Sequence, residues 1–500
     1  MFDNIKIATK DTFIYSLGNI STKLIGLVLL PLYTKVLSVE EYGVLGTVEI
    51  TIQLLIAAFS LSLQKAMNRW YWDKNYRDKQ KSIFFTTFMF LIGGALLMIL
   101  IFIPFSGDFS NVLLDSSKYK YLFDLMLISA ALQIITRLLL ALMRIQRKPL
   151  LFTTTNVTQF AVILGFTVYF VAVLERGLEG IFEAQILGYL FFILINIRLI
   201  INSIKPVFER SILKEMLRFS YPLVFSTMTG VIMSVTDRYA VRYIGGLNDM
   251  GVYTLGFKIT NILKVFVINS VVSALLPLKF QMMDKPNNKR FYSKIMTYTA
   301  FGFIIILLFL ALYSQEVIKL LAQKQEFWRA YQIVPILGFA QLFVLLRRNS
   351  NFGLMVKKKT KIISYITISV SILNLGLSIL LVYYFRSMGA ATASLLSQSL
   401  FFLLTYFQAQ KHYHIPYELK KIFTMVLTGA AIVIISFLLV NPMALLPRII
   451  LKFALIVLFP VILYFFNFYE SIELDRLRGA WHKWKNPNKW RENLKQIKIK

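Results

Sequence analysis

Long apolar runs separated by short polar loops repeat along the whole chain. Each run reaches 18 residues or more, enough to cross about 30 Å of hydrocarbon. With no water in lipid to satisfy backbone groups, such runs must be helices. The pattern predicts spans at roughly 12–36, 43–66, 82–104, 120–142, 150–173, 178–200, 217–241, 252–276, 293–313, 330–346, 362–384, 389–409, 420–440 and 447–466. That gives about fourteen, or twelve if two weak segments do not cross. The expected fold is all-α and polytopic.

The polar positions between the runs alternate in charge. One set of loops is basic, with Arg69, Lys74, Arg77, Lys79 and Lys81, then Arg144, Arg147 and Lys148, then Lys205, Arg210 and Lys214. The set continues through Lys285, Lys289 and Arg290, through Arg347, Arg348 and Lys357 to Lys359, and through Lys411, Lys420 and Lys421. The opposite loops carry Glu40, Glu41, Asp108, Asp115, Glu175, Glu179 and Asp249. Lysine and arginine mark the cytoplasmic side, so an even number of spans with both termini inside is expected. The segment up to Thr12 has no cleavable signal pattern, so the first run reads as a retained span.

Composition agrees with this picture. The 500 residues are 57% hydrophobic and only 16% charged, against about 25% charged in a soluble domain. A net charge of +30 would suggest nucleic acid in a soluble protein, but here it sits in loops beside a membrane, and no nucleic acid is expected. With no cysteine, thiolate metal sites and disulfides are excluded. The tail from Glu470 is basic and carries Trp481, Trp484 and Trp490. It reads either as a headgroup-binding segment on an anionic leaflet or as a solubilising tail. Loops are too short to hold an extramembrane catalytic domain, and no nucleotide, zinc-protease or nucleophile-elbow motif stands in a credible context.

The two halves resemble each other. Tyr42-Gly43-Val44-Leu45-Gly46 follows the first span, and Met250-Gly251-Val252-Tyr253 follows the seventh, each after a short turn with an acidic residue. Paired lobes of about six spans suit alternating-access carriers.

Beyond the pattern, particular residues carry a resemblance. Leu29-Leu30-Pro31-Leu32-Tyr33-Thr34-Lys35-Val36-Leu37-Ser38, followed by Glu40-Glu41-Tyr42-Gly43, resembles the end of the first span of the polysaccharide transport family. Phe219-Ser220-Tyr221-Pro222-Leu223 and Asp237-Arg238-Tyr239 resemble the two ends of its seventh span. The family comprises the O-antigen and exopolysaccharide flippases of the multidrug/oligosaccharidyl-lipid/polysaccharide exporter superfamily. The resemblance implies two pseudo-repeated six-helix lobes around a central cavity, 1–210 and 211–415, two additional helices in 416–468, and a basic cytoplasmic tail, 469–500. It implies a flippase, not an enzyme, in the bacterial cytoplasmic membrane, moving undecaprenyl-pyrophosphate-linked oligosaccharide repeat units without a cofactor. A proton or sodium ion for coupling, and polysaccharide assembly proteins as partners, go with that reading. The alternatives are a same-fold exporter of another cargo, such as drugs or the peptidoglycan lipid precursor, and a membrane-embedded polysaccharide polymerase or ligase.

Such a cargo needs cations for its pyrophosphate. Ionisable groups inside spans are costly and rare, so each is a candidate. Lys23, Arg137, Lys258 and Lys264 are expected to make the cavity cationic, with Asn261 between the two lysines of the eighth span on one broad face. The competing reading for each is an internal ion pair. Asp237, Glu49 and Glu183 are candidates for coupling or gating, and Asp237 is expected to meet a cation on another span. Asn156 and Gln159 share a face of the fifth span and suit either sugar hydroxyls or an interhelical hydrogen bond.

Overall fold

A computed structural model describes residues 26, 28–283 and 285–475. Most of the expected first span, Lys23 with it, and the tryptophans of the tail lie outside the described residues.

The described residues are helical and include eleven stretches long and apolar enough to cross a membrane. Two of these, Arg210–Gln281 and Thr360–His412, are too long for a single crossing. Each reverses once, at a residue with positive φ, and so counts as two, which makes thirteen crossing segments. The end of the expected first span is α1 (Leu30–Val36). After it come α2 (Val39–Phe59), α3 (Gln80–Phe102), α4 (Lys120–Ile145), α5 (Pro149–Val168) and α6 (Gly177–Ile195). The second half opens with α7 (Arg210–Ala240), α8 (Gly246–Ile262, running on to Gln281) and α9 (Asn288–Leu312). It continues with α10 (Ile333–Val356), with α11 and α12 as the two arms of Thr360–His412, and with α13 (Leu419–Ile435) and α14 (Leu445–Phe465).

Local chemistry sets the ends. Ser38 caps α2 with a reciprocal box: its hydroxyl accepts from the Glu41 amide at 3.1 Å, and the Glu41 carboxylate accepts from the Ser38 amide at 2.8 Å. Glu40 and Glu41 also place negative charge at the positive end of the helix dipole. Pro149 opens α5, where its missing amide proton costs nothing. The reversal between α7 and α8 falls at Gly246, whose φ of 87° and ψ of 178° lie in a region essentially reserved for glycine. Arg386, φ 53°, makes the reversal between α11 and α12, and its guanidinium donates to the Ile244 carbonyl at 2.5 Å.

Two compact units divide the chain. The larger takes the residues up to Pro286 and Ser314–Ile415; the smaller takes Asn287–Tyr313 and the residues from Pro416 onward. In the smaller unit α9 packs against α13 and α14. Lys294 pairs with Glu418 at 2.8 Å and Glu470 at 2.5 Å at its basic-loop end.

In the larger unit, α2 and α8 pack along one another. These are the two helices that the sequence pattern pairs, and their small residues make the contact. A Cβ added at Gly43 would sit 1.9 Å from the Leu247 carbonyl oxygen, and one at Gly251 would sit 2.1 Å from that of Val39. Backbone therefore meets backbone, as in small-residue interfaces of membrane helices. Further ties gather at the same acidic-loop face. Thr34 donates to the Leu321 carbonyl at 2.8 Å, and Lys324 to that of Leu37 at 2.8 Å. Arg242, only 2% exposed, pairs with Asp115 at 2.7 Å and donates to the Leu113 carbonyl at 2.8 Å. At the basic-loop face the short helix Leu63–Trp70 that follows α2 meets α7: Lys65 donates to Thr227 at 2.8 Å, and Trp70 to Glu215 at 3.3 Å.

Candidate functional site

Between the two sets of ties the larger unit holds a cavity of about 860 Å³. It is bounded by the end of α1, by α2, α4, α5 and α6, and by α7 and α8. Its charged lining is Lys65, Arg137, Arg238, Lys258 and Lys264 against one carboxylate, Glu49.

The structure brings together most of the residues singled out from sequence: Arg137, Lys258, Asn261, Lys264 and Glu49 all face this space. Lys258 and Glu49, read separately from sequence, form an ion pair of 2.8 Å across 209 positions of chain. The ammonium also lies 5.1 Å from the centre of the Tyr42 ring. Neither side chain is fully enclosed, at 23% and 30% exposed, so the cavity wets the pair. Arg137 donates to Gln133 on the preceding turn at 3.1 Å and meets no carboxylate among the described residues. Lys264 has no hydrogen-bond or ion-pair partner among them. It stands near Arg348, Arg238 and Arg347, with Asp237 as a weaker opposing charge, so its surroundings are positive on balance.

Asp237 and Glu183 stand elsewhere. Asp237 is 5% exposed and turned into the packing of α7 with α8 and α12. It accepts from the Tyr253 hydroxyl, from Ser394 at 3.1 Å and from the Arg238 amide at 2.9 Å. Hydroxyls thus satisfy it where a cation was expected. Glu183 pairs with Arg176 at 2.8 Å and accepts from Tyr121 at 3.3 Å near the acidic-loop end of α6, and it does not line the cavity.

Two lining cations escaped the sequence reading. Arg238 follows Asp237, so the two side chains diverge by about 100° on the helix. One points into the packing, the other to the cavity, where the guanidinium lies 4.5 Å from the Phe257 ring centre and donates to the Ser234 carbonyl at 3.0 Å. That angular offset was the available signal. Lys65 falls just past α2, at the very end of the span expected at 43–66, and was not singled out there.

The Lys258–Glu49 pair makes a direct prediction. Removing one partner leaves the other charge uncompensated, so Glu49→Gln and Lys258→Met should each lower the thermal midpoint of the purified protein. The double variant should recover part of the loss. A double-mutant cycle should return a coupling of about 0.5–3 kcal/mol, and additive losses would mean that the pair does not couple.

The fold defines a multi-pass helical membrane protein with a cation-lined cavity. Residues 8–283, more than half of the chain, match the family described as polysaccharide biosynthesis protein, and residues 222–380 match MatE. The chain belongs to the polysaccharide biosynthesis protein family, and with it to the multidrug/oligosaccharidyl-lipid/polysaccharide exporter superfamily. Among relatives, it is 23% identical over 306 residues to Lsg locus putative protein 1 of Haemophilus influenzae, covering 59% of this chain and 71% of that protein. An uncharacterized membrane protein of the same organism is 23% identical over 290 residues, 56% of this chain and 67% of that one. Among solved structures, the lipid II flippase MurJ in an inward closed conformation superposes with a TM-score of 0.69 at 16% identity, over 90% of this chain and 99% of MurJ. An inward-facing multidrug resistance MATE family transporter gives 0.63 at 14% identity, over 79% and 94%. At these identities the structural likeness speaks for the fold alone.

Proposed function

We propose that the chain is a flippase that moves undecaprenyl-pyrophosphate-linked oligosaccharide repeat units from the inner to the outer leaflet of the bacterial cytoplasmic membrane. The observation that carries this reading is the cavity's charge: among the described residues, five cations against the one carboxylate of Glu49. Cations at membrane depth are expensive unless water or an anion meets them. A pyrophosphate headgroup supplies that anion, while the lipid tail stays in the bilayer. A cationic drug would meet four uncompensated positive charges, which disfavours drug export as the activity.

The lobes 1–210 and 211–415 rock about this cavity, with 416–468 as accessory helices and 469–500 as the cytoplasmic tail. Both termini are cytoplasmic on the alternating lysine and arginine bias of the loops in sequence, which puts the Gly43–Gly251 seam on the outer side. Lys258, Lys264, Arg137 and Asn261, with Lys23, hold the cargo. Glu49 exchanges Lys258 between itself and the pyrophosphate. Asp237, bound to hydroxyls of two other helices, is the candidate for a proton or sodium ion.

Deleting the gene tests the reading. The expected outcome is a lipid-linked glycan accumulating on the inner leaflet, cleared when the gene is restored. Drug sensitivity without such accumulation would overturn the assignment.

A further inference from the structure

The cavity wall contributed by α4, α5 and α6 differs in chemistry from the wall contributed by α7 and α8. The latter carries Arg238, Lys258 and Lys264. The former carries amides, Gln133, Asn156, Gln159 and Gln185, around the single cation Arg137, with Phe160 beside them. Asn156 and Gln159 stand one turn apart on α5 and are 4% and 5% exposed. Neither makes a hydrogen bond within the described residues, so neither ties α5 to another described helix. Buried amides are ordinarily paired, and these two border the cavity, where a ligand can pair them. Gln185 uses its carbonyl on Ser129 at 3.3 Å, which does not spend its NH2 group, whereas Gln133 accepts from Arg137 at 3.1 Å and also bonds Tyr189, so it serves to hold Arg137 in place.

An amide offers a donor and an acceptor side by side, which matches neighbouring hydroxyls on a pyranose ring. Arg137 offers more. Its guanidinium has five N–H donors in a planar fork that matches a carboxylate. Gln133 takes one of them, and no carboxylate of the described chain takes the others. Resting on the flippase reading, we infer that this wall is a glycan subsite, and that Arg137 selects repeat units carrying an acidic sugar of the uronate class. The lysines of the opposite wall hold the pyrophosphate, so the cargo lies across the cavity with its sugar toward α4–α6.

The test is calorimetric titration of the purified full-length protein with three probes: hyaluronan tetrasaccharide, chitotetraose and inorganic pyrophosphate. The wild type should bind the acidic tetrasaccharide about tenfold more tightly than the neutral one, a difference of about 1.4 kcal/mol. Arg137→Gln should erase that preference and leave pyrophosphate affinity within about twofold. Asn156→Ala with Gln159→Ala should weaken both tetrasaccharides and spare pyrophosphate. Equal binding of the two tetrasaccharides by the wild type, failure of both to bind, a preference that survives Arg137→Gln, or loss of pyrophosphate binding in that variant would each overturn the subsite. If pyrophosphate failed to bind the wild type, the flippase reading itself would fall. Thermal midpoints of the variants, measured alongside, separate lost recognition from lost folding.

Discussion

Gly43→Leu should lower transport more than tenfold and open the cavity to the acidic-loop face. A Cβ there meets the Leu247 carbonyl oxygen at 1.9 Å, and at Gly251 it meets that of Val39 at 2.1 Å. Both obstacles are backbone, so no rotamer change relieves them, and α2 and α8 must part. The chain has no cysteine, so a single Ser234→Cys probe on the cavity wall reports access without background. In otherwise wild-type protein, a membrane-impermeant maleimide added outside should label it slowly. With Gly43→Leu or Gly251→Leu the rate should rise about tenfold, at similar protein abundance. Unchanged labelling with normal transport would show that the seam does not close this face.

Lys264→Glu should be the most damaging single charge change in the cavity. Lys258 has Glu49 to hold it, whereas Lys264 has no hydrogen-bond or ion-pair partner among the described residues and feels three arginines more strongly than it feels Asp237. Its charge is thus available to a ligand, and reversing it both removes a ligand contact and offers neighbouring arginines a carboxylate to bind. Transport should fall at least tenfold with the protein still present in the membrane. Lys264→Arg should retain most of it, because the charge is what matters. A Lys264→Glu variant that transported normally would remove this lysine from the site.

The spans were legible because the bilayer imposes a length and a composition on each helix. The expected spans and the observed helices differ mainly at their ends, as with 217–241 against Arg210–Ala240, where polar first turns extend helices beyond hydrocarbon. The reversals at Gly246 and Arg386 were placed only approximately. A positive φ at an arginine is set by what surrounds it, here the Ile244 carbonyl that accepts its guanidinium. The repeat pointed to Gly43 and Gly251, but a linear pattern does not say that the two glycines meet each other. In the cavity, Lys258 and Glu49 were each conspicuous as charges inside spans. Their pairing was not, because nothing in the order of residues aligns positions 209 apart. Asp237 drew notice as a buried carboxylate, yet its partners, Tyr253 and Ser394, carry no charge and leave no electrostatic signature in sequence. Asn156 and Gln159 suited both a ligand and a neighbouring helix, and only their lack of partners among the described residues separates the two.

The most direct test of the account is translocation by the purified protein in proteoliposomes. A lipid-pyrophosphate-linked oligosaccharide would be placed in both leaflets and probed with a membrane-impermeant glycosidase. Without the protein, digestion should stop near half. With it, digestion should run toward completion, and Lys264→Glu should return it to the half-way plateau. A wild-type protein that left the plateau at half, in vesicles where it is folded and correctly inserted, would show that the chain does not move such lipids.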